Sequence, residues 1–440
     1  MSRNRLRFTE LRLTIFACLV VISGAWLIAL SDASTVTLAW PDIRHAAFLA
    51  GLFLVVPVVW SFSRFHGDQI LFPTVALLAA IGYVTVLRLS PDLESIGRGA
   101  ANSDLRQLIY IAGGIFIAIG IGRFFRYWHL LRRYQYTLLI ICIGLLLATF
   151  FFGTPIYGAR LWISVGPIQI QPSEIIKIGL VLFLAAYLDE RRELVGSIWR
   201  FGPLNLPPIP YLLPMLLMWG TSLIVLVVEN DLGSALLLFS IFLVMVYVGT
   251  GRSIYVLVGF ATFALACWAA LSMFDRVGIR VQNWLDPWRD PLDTGYQQIQ
   301  SDFALANGGV LGVGLGRGEP WRIPAVETDF VFSAIAEETG LLGTLAILAL
   351  YGVLAVRGLT IGIRQRDGYL RLVAIGLSAS LGVQTAVILG GVLRLIPLTG
   401  ITLPFISYGG SSMLTNFAVI GLLANISAAP GTVRGRKAGK

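Results

Sequence analysis

Long apolar runs separated by short polar connections dominate the sequence. We count twelve such runs, and most have the length of about 17–25 residues that a helix needs to cross a bilayer. They lie at roughly 12–30, 45–62, 70–88, 107–122, 135–152, 174–188, 210–228, 232–249, 254–273, 333–356, 372–394 and 403–427. This pattern predicts an all-α polytopic membrane protein with about twelve transmembrane helices.

One connection is far longer than the others and spans residues 274–330. Within it, Tyr296, Ile299 and Phe303 recur at helical spacing, which predicts a short amphipathic helix over 295–306. Such a helix either lies on the bilayer surface or packs on the transmembrane bundle. Long loops usually carry function, so we expect part of the functional site here.

A glycine-rich stretch, NGGVLGVGLGRG at 307–318, lies in the second half of this loop. Loops of this composition can hold phosphates through backbone N–H groups. Because no predicted strand precedes the stretch and no Lys-Ser/Thr pair follows it, a nucleotide site is not expected. We expect either a flexible hinge or a site for the pyrophosphate of a lipid.

The charge distribution indicates a membrane protein rather than a nucleic-acid-binding protein. The chain is 56% hydrophobic and only 13% charged, with a net charge of +9. If the N-terminus is cytoplasmic, 21 of the 33 basic residues fall on the inner side and 11 on the outer side, as the positive-inside rule requires. We therefore predict cytoplasmic termini, an outer location for residues 274–330, and no nucleic-acid partner. The basic flank of the first run also fits a signal peptide, although the run is long for one.

The cysteines and histidines show no ligand pattern. Cys18, Cys142 and Cys267 each lie in a separate apolar run, and the three histidines are far apart. We therefore predict no protein-built metal site and no disulfide.

Charged side chains at membrane depth are costly and mark functional positions. In QPSEIIKIG, residues 171–179, Glu174 and Lys177 share a helix face, either as a self-neutralising ion pair or as the wall of a substrate cavity. Asp231 precedes another predicted helix, where a carboxylate caps backbone N–H groups. Arg160, in a predicted outer loop, is a further candidate for the cavity.

The stretch AVETDFVFSAIAEETG, residues 325–340, gathers four carboxylates at the start of an apolar helix. Asp329 lies where the outer loop enters the helix, either as a cap or as a functional acid. Glu337 and Glu338 lie about 12–14 Å deeper. At that depth they must pair or face a water-filled space, which predicts an outward-opening cavity for an amphiphilic substrate with an anionic head.

A further polar segment, LPFISYGGSSM at 403–413, interrupts the last apolar run. Pro404, Gly409 and Gly410 should break the helix near its outer end, which is tolerated where backbone lines a cavity. The segment contains Ser407, a candidate for contact with substrate.

These segments together resemble the SEDS family (shape, elongation, division, sporulation), which includes RodA, FtsW and SpoVE. The matching stretches are GARLWISVGPIQIQPSEIIKIGLVLF, ENDLGSALLLF, WLDPWRDPLDTGYQQIQSDFALANGGVLGVGLGRG, ETDFVFSAIAEETGLLG and ITLPFISYGGSSMLTNFAVIGLLANI. Their order and spacing over roughly residues 70–428 make the resemblance specific. Because the family core has ten membrane helices, the resemblance implies a two-helix extension over 1–68, a SEDS-like core over 69–428 and a basic cytoplasmic tail over 429–440.

The resemblance also implies a function. The family polymerises lipid II, an undecaprenyl-pyrophosphoryl disaccharide-pentapeptide, into glycan strands at the outer face of the bacterial cytoplasmic membrane, beside a class B penicillin-binding protein. Asp329 occupies the position of the family's essential acid, and we interpret it as the general base. The substrate-binding candidates are Lys177, Glu174, Arg160, Asp231, Glu327, Arg322 and Ser407. The sequence requires no cofactor, although a divalent cation (Mg or Mn) could share the binding of pyrophosphate.

Glu327 departs from the family pattern, because the family usually has His two residues before the essential acid. Two carboxylates this close disfavour ionisation of both, so one pKa should rise. The dipole of the following helix favours ionised Asp329, so we expect the raised pKa at Glu327.

Two other functions compete with the polymerase. One is a flippase for lipid-linked precursors, and the other is an O-antigen-type polymerase or ligase. The clustering of charged residues on one side argues against a transporter, and the match of five stretches argues against the second alternative.

Overall fold

The structure of the protein is a computed structural model. It describes residues 7–31, 43–98, 102–156, 159–165, 168–191, 199–201, 204–206, 216, 220, 231–273 and 275–429.

Most of the described residues are helical. The helices are α1 (Phe8–Ser31), α2 (Arg44–Phe62), α3 (Leu71–Ser95), α4 (Ser103–Phe124), α5 (Trp128–Arg133), α6 (Gln135–Phe152), α7 (Pro172–Glu190), α8 (Leu232–Thr250), α9 (Ser253–Met273), α10 (Asp275–Leu285), α11 (Tyr296–Gly308), α12 (Val331–Arg364), α13 (Gly368–Val392) and α14 (Gly410–Ala428). Two short 3₁₀ turns, Pro287–Arg289 and Pro320–Arg322, lie in the long loop.

Nine helices of the described chain are long and apolar enough to cross a membrane. This finding confirms the predicted all-α polytopic fold. The predicted runs 174–188 and 254–273 also form helices, α7 and α9. Of the predicted run 210–228, only residues 216 and 220 are described.

The last predicted run is shorter than the apolar pattern suggested. Its helix α14 begins at Gly410, because residues 403–408 adopt an irregular conformation in which Phe405 has a φ of +66°. The backbone N–H of Leu403 donates to the Ser407 hydroxyl at 2.9 Å, which holds this segment in place. The break expected around Pro404 is therefore present.

The chain forms two compact units. Unit 1 comprises Met1–Phe124, Ile279–Arg357 and Gln384–Ala428, and unit 2 comprises Phe125–Gly278, Gly358–Val383 and Ala429–Lys440. The helices of the predicted N-terminal extension thus belong to unit 1 together with core helices. The division at residue 68 remains a prediction about sequence segments.

Close contacts between helices hold unit 1 together. A Cβ added at Gly24 of α1 would lie 2.8 Å from Val84 of α3, and one at Gly114 of α4 would lie 2.4 Å from Phe417 of α14. Helices in lipid associate through such close packing at small residues.

A buried polar cluster, here called the N-terminal clasp, attaches the start of α1 to the rest of unit 1. The guanidinium of Arg7, which is 5% exposed, donates to the carbonyl oxygens of Phe65 at 2.8 Å and Asp68 at 2.7 Å, and it pairs with Glu10. Asp68 in turn pairs with Arg357 of α12 at 2.5 Å. The clasp therefore joins α1, the α2–α3 connection and α12.

Unit 2 packs around α7, whose residues from Gly179 to Leu188 are buried. A Cβ at Gly179 would meet the Cys142 sulfur of α6 at 2.3 Å, so these two helices are in close contact. Two small antiparallel arrangements accompany the helices. They are β1 (Thr154–Ile156) with β2 (Ala159–Val165) and β3 (Ile168–Ile170), and β4 (Trp199–Phe201) with β5 (Leu204–Leu206).

The predicted amphipathic helix of the long loop is α11, which confirms the expectation within two residues at each end. Ile299, Ser301 and Ala304 are buried, and the Ser301 hydroxyl lies 2.7 Å from that of Ser333 in α12. Of the two arrangements considered, the structure shows the helix packed on the protein.

Candidate active site

Asp329 lies in a tight turn that leads directly into α12. Ala325 adopts a φ of +52°, and its carbonyl accepts the backbone N–H groups of Thr328 at 3.2 Å and Asp329 at 3.0 Å. Phe330, which is fully buried, anchors the end of the turn in unit 1. The carboxyl group is thus held at the helix start by the backbone on one side and by an apolar anchor on the other.

A guanidinium lies beside this carboxylate. Arg280 of α10 donates to the carbonyl of Thr399 at 3.3 Å. A Cβ added at Gly400 would lie 3.6 Å from Asp329 Oδ2 and 3.8 Å from Arg280 Nη2, so the two charged groups flank the same glycine. Because Gly400 has no side chain, the space between the two groups stays open.

The segment before α14 forms another wall of the site. The Ser407 hydroxyl donates to the Thr328 carbonyl at 2.6 Å, and the backbone N–H of Tyr408 donates to the Glu327 carbonyl at 2.8 Å. Ser407 is 3% exposed. In this structure its hydroxyl joins the turn that carries Asp329 to the segment around Leu403, because it also accepts the Leu403 N–H.

The α4 helix adds a second cation to this wall. Arg106 makes a side-chain hydrogen bond with Tyr408, and both its charge and that of Glu327 act on the Tyr408 hydroxyl. The next residue, Gln107, donates to the Ser407 carbonyl at 3.4 Å. Glu327 therefore lies in a polar array that includes Arg106.

Burial determines the protonation of both acids. It raises the pKa of Asp329 from 3.8 to about 6, against the lowering influence of a Thr328 hydrogen bond and the Arg280 charge. The Glu327 charge contributes a smaller raising effect. Burial also raises the pKa of Glu327. The pKa of Glu327 is raised as expected, although by burial rather than by a like charge. The pKa of Asp329 is raised as well, so the expectation of a single raised pKa is wrong, because desolvation acts on both acids.

Unit 2 contains four of the other charged residues that the sequence suggested, which are Arg160, Glu174, Lys177 and Asp231. Lys177 is 1% exposed, and its ammonium lies 2.5 Å from Glu174 Oε2, so the pair forms. Asp231 accepts the backbone N–H of Ser234 at 3.0 Å, which confirms the capping geometry. Ser234 also lies 3.3 Å from the Ser173 hydroxyl, so α7 and α8 begin side by side. Arg160 belongs to β2, and its side chain lies outside the described part.

Arg322 pairs with Glu319 at 2.8 Å, and both side chains are more than half exposed. The predicted site residues thus form two groups. Asp329, Glu327 and Ser407 come together in unit 1, and Glu174, Lys177 and Asp231 lie in unit 2.

The deep carboxylates of α12 have partners, as their position required. Glu338 pairs with Arg88 of α3 at 3.2 Å, and Arg88 also pairs with Asp92 at 2.6 Å. Glu337 accepts the backbone N–H of Glu319 at 3.4 Å. Two of the four carboxylates of the 325–340 stretch, Glu337 and Glu338, are therefore buried with hydrogen-bonding or charged partners in unit 1.

The glycine-rich stretch completes α12 through its backbone. Gly340 has a φ of +66° and a ψ of −166°, and this break leaves backbone groups of α12 without helical partners. The stretch supplies four hydrogen bonds, from Val313 N–H to Glu337 O, Gly314 N–H to Glu338 O, Leu341 N–H to Gly309 O and Leu342 N–H to Val310 O, at 3.0–3.2 Å. We call this arrangement the glycine splice.

Sequence reasoning missed Arg280 and Arg106. Arg280 sits four residues from Trp284 on an amphipathic helix, and this pairing of a cation with an interfacial aromatic was a usable signal. Arg106 and Gln107 form a polar pair at the start of an apolar run. Within the described residues, no group of three or more His, Cys, Asp or Glu is placed to hold a metal ion.

The bundle and this site define a polytopic membrane protein with a carboxylate–guanidinium site where a long loop enters a membrane helix. The chain belongs to the cell cycle protein family of FtsW, RodA and SpoVE, whose sequence pattern matches residues 68–430.

Several known proteins are similar to this chain over most of its length. The peptidoglycan glycosyltransferase RodA of Mycobacterium tuberculosis is 39% identical over 429 residues, which cover 96% of this chain and 90% of that protein. Stage V sporulation protein E of Bacillus subtilis is 35% identical over 327 residues, 73% of this chain and 86% of that protein.

Solved structures share the fold. One chain, from a study of how a peptidoglycan synthase complex coordinates polymerization and crosslinking, has a TM-score of 0.67 and 31% identity over 82% of this chain and 97% of its own. The rod shape determining protein RodA of Thermus thermophilus has a TM-score of 0.59 and 29% identity over 82% of this chain and 96% of its own.

Proposed function

We propose that this chain is a peptidoglycan glycosyltransferase that polymerises lipid II into glycan strands at the outer face of the cytoplasmic membrane. The relatives that carry this enzyme name match the chain over most of its length. The observation that carries the mechanism is the half-buried Asp329 carboxylate beside the Arg280 guanidinium, across the open Gly400.

In this mechanism a sugar hydroxyl of one substrate molecule attacks the anomeric carbon of another. Undecaprenyl pyrophosphate leaves that carbon. Asp329 accepts the proton of the attacking hydroxyl, and Arg280 stabilises the charge on the departing pyrophosphate. A base with a pKa of about 6 is ionised at neutral pH and still accepts a proton readily.

The other substrate contacts remain part of the proposal. In unit 1, Glu327, Arg322 and Ser407 are proposed substrate contacts. In unit 2, Lys177, Glu174, Arg160 and Asp231 are proposed to bind a polar group of the substrate. Asp329 and Glu327 offer only two carboxylates, and Mg²⁺ is generally held by one or two carboxylates plus substrate phosphates. These residues therefore fit a divalent cation only together with bound pyrophosphate, and no step above depends on it.

The test of function is purified protein with lipid II, scored for glycan polymer and for lipid translocation. We expect polymer from the wild type. Asp329→Asn keeps the size of the side chain and should reduce the rate by about 10²–10⁴-fold, the usual contribution of a general base. Near wild-type polymerisation by this variant would refute the base assignment, and translocation without polymer would favour a flippase.

We further propose cytoplasmic termini and an outer loop over 274–330. In support, Arg7, Asp68 and Arg357 are all predicted on the inner side and contact one another in the N-terminal clasp. A membrane-impermeant maleimide should label Asp293→Cys in intact cells, because this loop position is exposed. The matched control is Arg366→Cys, an exposed position in a predicted inner turn. Labelling of the control alone would reverse the topology.

The natural partner of such an enzyme is a class B penicillin-binding protein, which crosslinks the strands. The similar chain from a peptidoglycan synthase complex supports this assignment. Affinity purification of the full chain from membranes should recover a penicillin-labelled protein, and its absence would contradict the proposed pairing.

A further inference from the structure

A cavity of about 200 Å³ lies in unit 1 between the first helix and the core. Its walls come from α1, α3, the end of the glycine-rich loop and the first part of α12. The helix α1 precedes the segment that matches the family pattern, residues 68–430. The cavity is therefore built jointly by the family core and by the N-terminal extension.

The cavity is not a sign of loose packing between these helices. At Gly24, which lines it, an added Cβ would lie 2.8 Å from two methyl carbons of Val84, so α1 and α3 touch directly beside the open space. The space is therefore not caused by a general separation of the two helices, which pack closely beside it.

The walls are apolar. Val20, Leu27, Val84, Leu315 and Ile335 form much of the surface. The charged groups at one end are mutually engaged, because Arg88 pairs with Glu338 and Asp92 and donates to the Gly318 carbonyl at 3.2 Å. Apolar cavities stay dry and accept apolar molecules, so the matching ligand is a hydrocarbon segment.

Part of the cavity lining is exposed on the surface of α1, which faces lipid when this apolar helix spans the membrane. Leu27 lines it and is 53% exposed on α1, and Ser23, one turn earlier, is also exposed. The cavity is smaller than the roughly 300–1,000 Å³ of a site for a whole small ligand, so it fits part of a chain whose remainder stays in the bilayer.

The position of the cavity along α12 points to a particular hydrocarbon chain. The lining residues Ala334 and Thr339 follow Asp329 by five and ten positions, which correspond to about 7 and 15 Å along a helix. A polyprenyl chain whose pyrophosphate is held near Asp329 would reach this depth after its first few isoprene units. We propose that the cavity between α1, α3 and α12 binds the pyrophosphate-proximal part of the polyprenyl chain of the substrate, an inference that rests on the proposed function.

The test uses purified full-length protein and a polyprenyl phosphate that carries a photoactivatable group in its second or third isoprene unit. We expect crosslinks within 20–27 and 334–339, competed by undecaprenyl phosphate but not by phospholipid. Crosslinks confined to other segments, or equal competition by phospholipid, would overturn the proposal.

A cavity-filling variant provides the second measurement. Ser23→Trp should raise the KM for lipid II and weaken crosslinking by about tenfold, the effect of losing roughly two buried methylene groups, with kcat retained. The matched control is Ile15→Trp, which adds the same side chain at a lipid-exposed position of α1 that does not line the cavity. Equal effects of the two variants would overturn the proposal. Absence of polymer from the wild type would instead overturn the proposed function itself.

Discussion

At the scale of single residues, the protonation of Asp329 connects structure with measurable behaviour. Its pKa is raised from 3.8 to about 6 by burial. The folded protein therefore binds this proton more tightly than the unfolded chain, so ionisation costs folding stability as the pH rises from about 4 to 6. We expect Asp329→Asn to raise the melting temperature at pH 7–8 and to leave it unchanged near pH 4. A lower melting temperature at neutral pH would mean that the carboxylate is needed as a helix cap.

The two charged neighbours of Asp329 should shift the pH profile in opposite directions. The Glu327 charge raises the pKa of Asp329, and the Arg280 charge lowers it. In Glu327→Gln the acidic limb of kcat/KM should move to lower pH, and in Arg280→Gln it should move to higher pH with a lower kcat. A steady-state pH profile on lipid II measures both limbs. Shifts of the same sign would contradict the geometry around Gly400.

Sequence patterns located Asp329 but not its surroundings. The acid was recognisable because it stands where a loop meets an apolar helix, and Glu338 because a charge at that depth needs a partner. Arg280 approaches Asp329 only through the folding of α10 onto the segment around Thr399, more than a hundred positions away in sequence. Desolvation of Asp329 likewise depends on this packing, so like charges and the helix dipole alone predicted one raised pKa and missed the second.

At the scale of elements, the break in α12 depends on a residue without a side chain. Gly340 adopts a conformation available almost only to glycine, and an added Cβ would lie 2.3 Å from the backbone nitrogen of Gly312. We expect Gly340→Ala to destabilise the protein by at least about 2 kcal/mol, through the strained backbone and the clash together. Thermal unfolding in detergent measures the change.

The same helix contains a matched control for this prediction. A Cβ at Gly352 would meet nothing within 4 Å. Gly352→Ala should therefore be neutral or stabilising by up to about 1 kcal/mol, the helix-propensity gain of alanine. Equal destabilisation by both substitutions would show that the splice is not the critical feature.

The α7 pair allows a second test at this scale. If Lys177 binds pyrophosphate, Lys177→Met should weaken lipid II binding while the protein still folds. If it only neutralises Glu174, the double variant Glu174→Gln/Lys177→Met should recover the activity that either single change loses, because the two buried charges are 2.5 Å apart and coupled. Lipid II binding and polymerisation of the three variants distinguish the roles.

Apolar periodicity predicted the positions of the helices well but did not predict where a helix is interrupted. It placed α11 within two residues but did not reveal that α12 breaks at Gly340. The hydrogen bonds of the break come from residues 309–314, and a pattern of apolar positions carries no information about which distant backbone groups satisfy each other.

At the scale of the whole molecule, the N-terminal clasp is one of the contacts that attach the first helix to the rest of unit 1. Arg7→Gln leaves Glu10 buried without its cation, and the loss of one partner of a buried pair costs about 3–5 kcal/mol. We expect a lower unfolding temperature in detergent, partly restored in Arg7→Gln/Glu10→Gln. The exposed Arg12→Gln is the control and should have little effect. An unchanged unfolding temperature for Arg7→Gln would show that the core is stable without the clasp.

The glycine splice has a consequence for how the protein is made. A carbonyl without a donor is very costly in lipid, so the Glu337 and Glu338 carbonyls need the N–H groups of Val313 and Gly314 as soon as they enter the membrane. Residues 308–318 are synthesised before α12, so the ribosome releases the partners first. We therefore expect the loop and the two halves of α12 to assemble together, because the backbone N–H groups of the loop are synthesised before the carbonyl groups that need them.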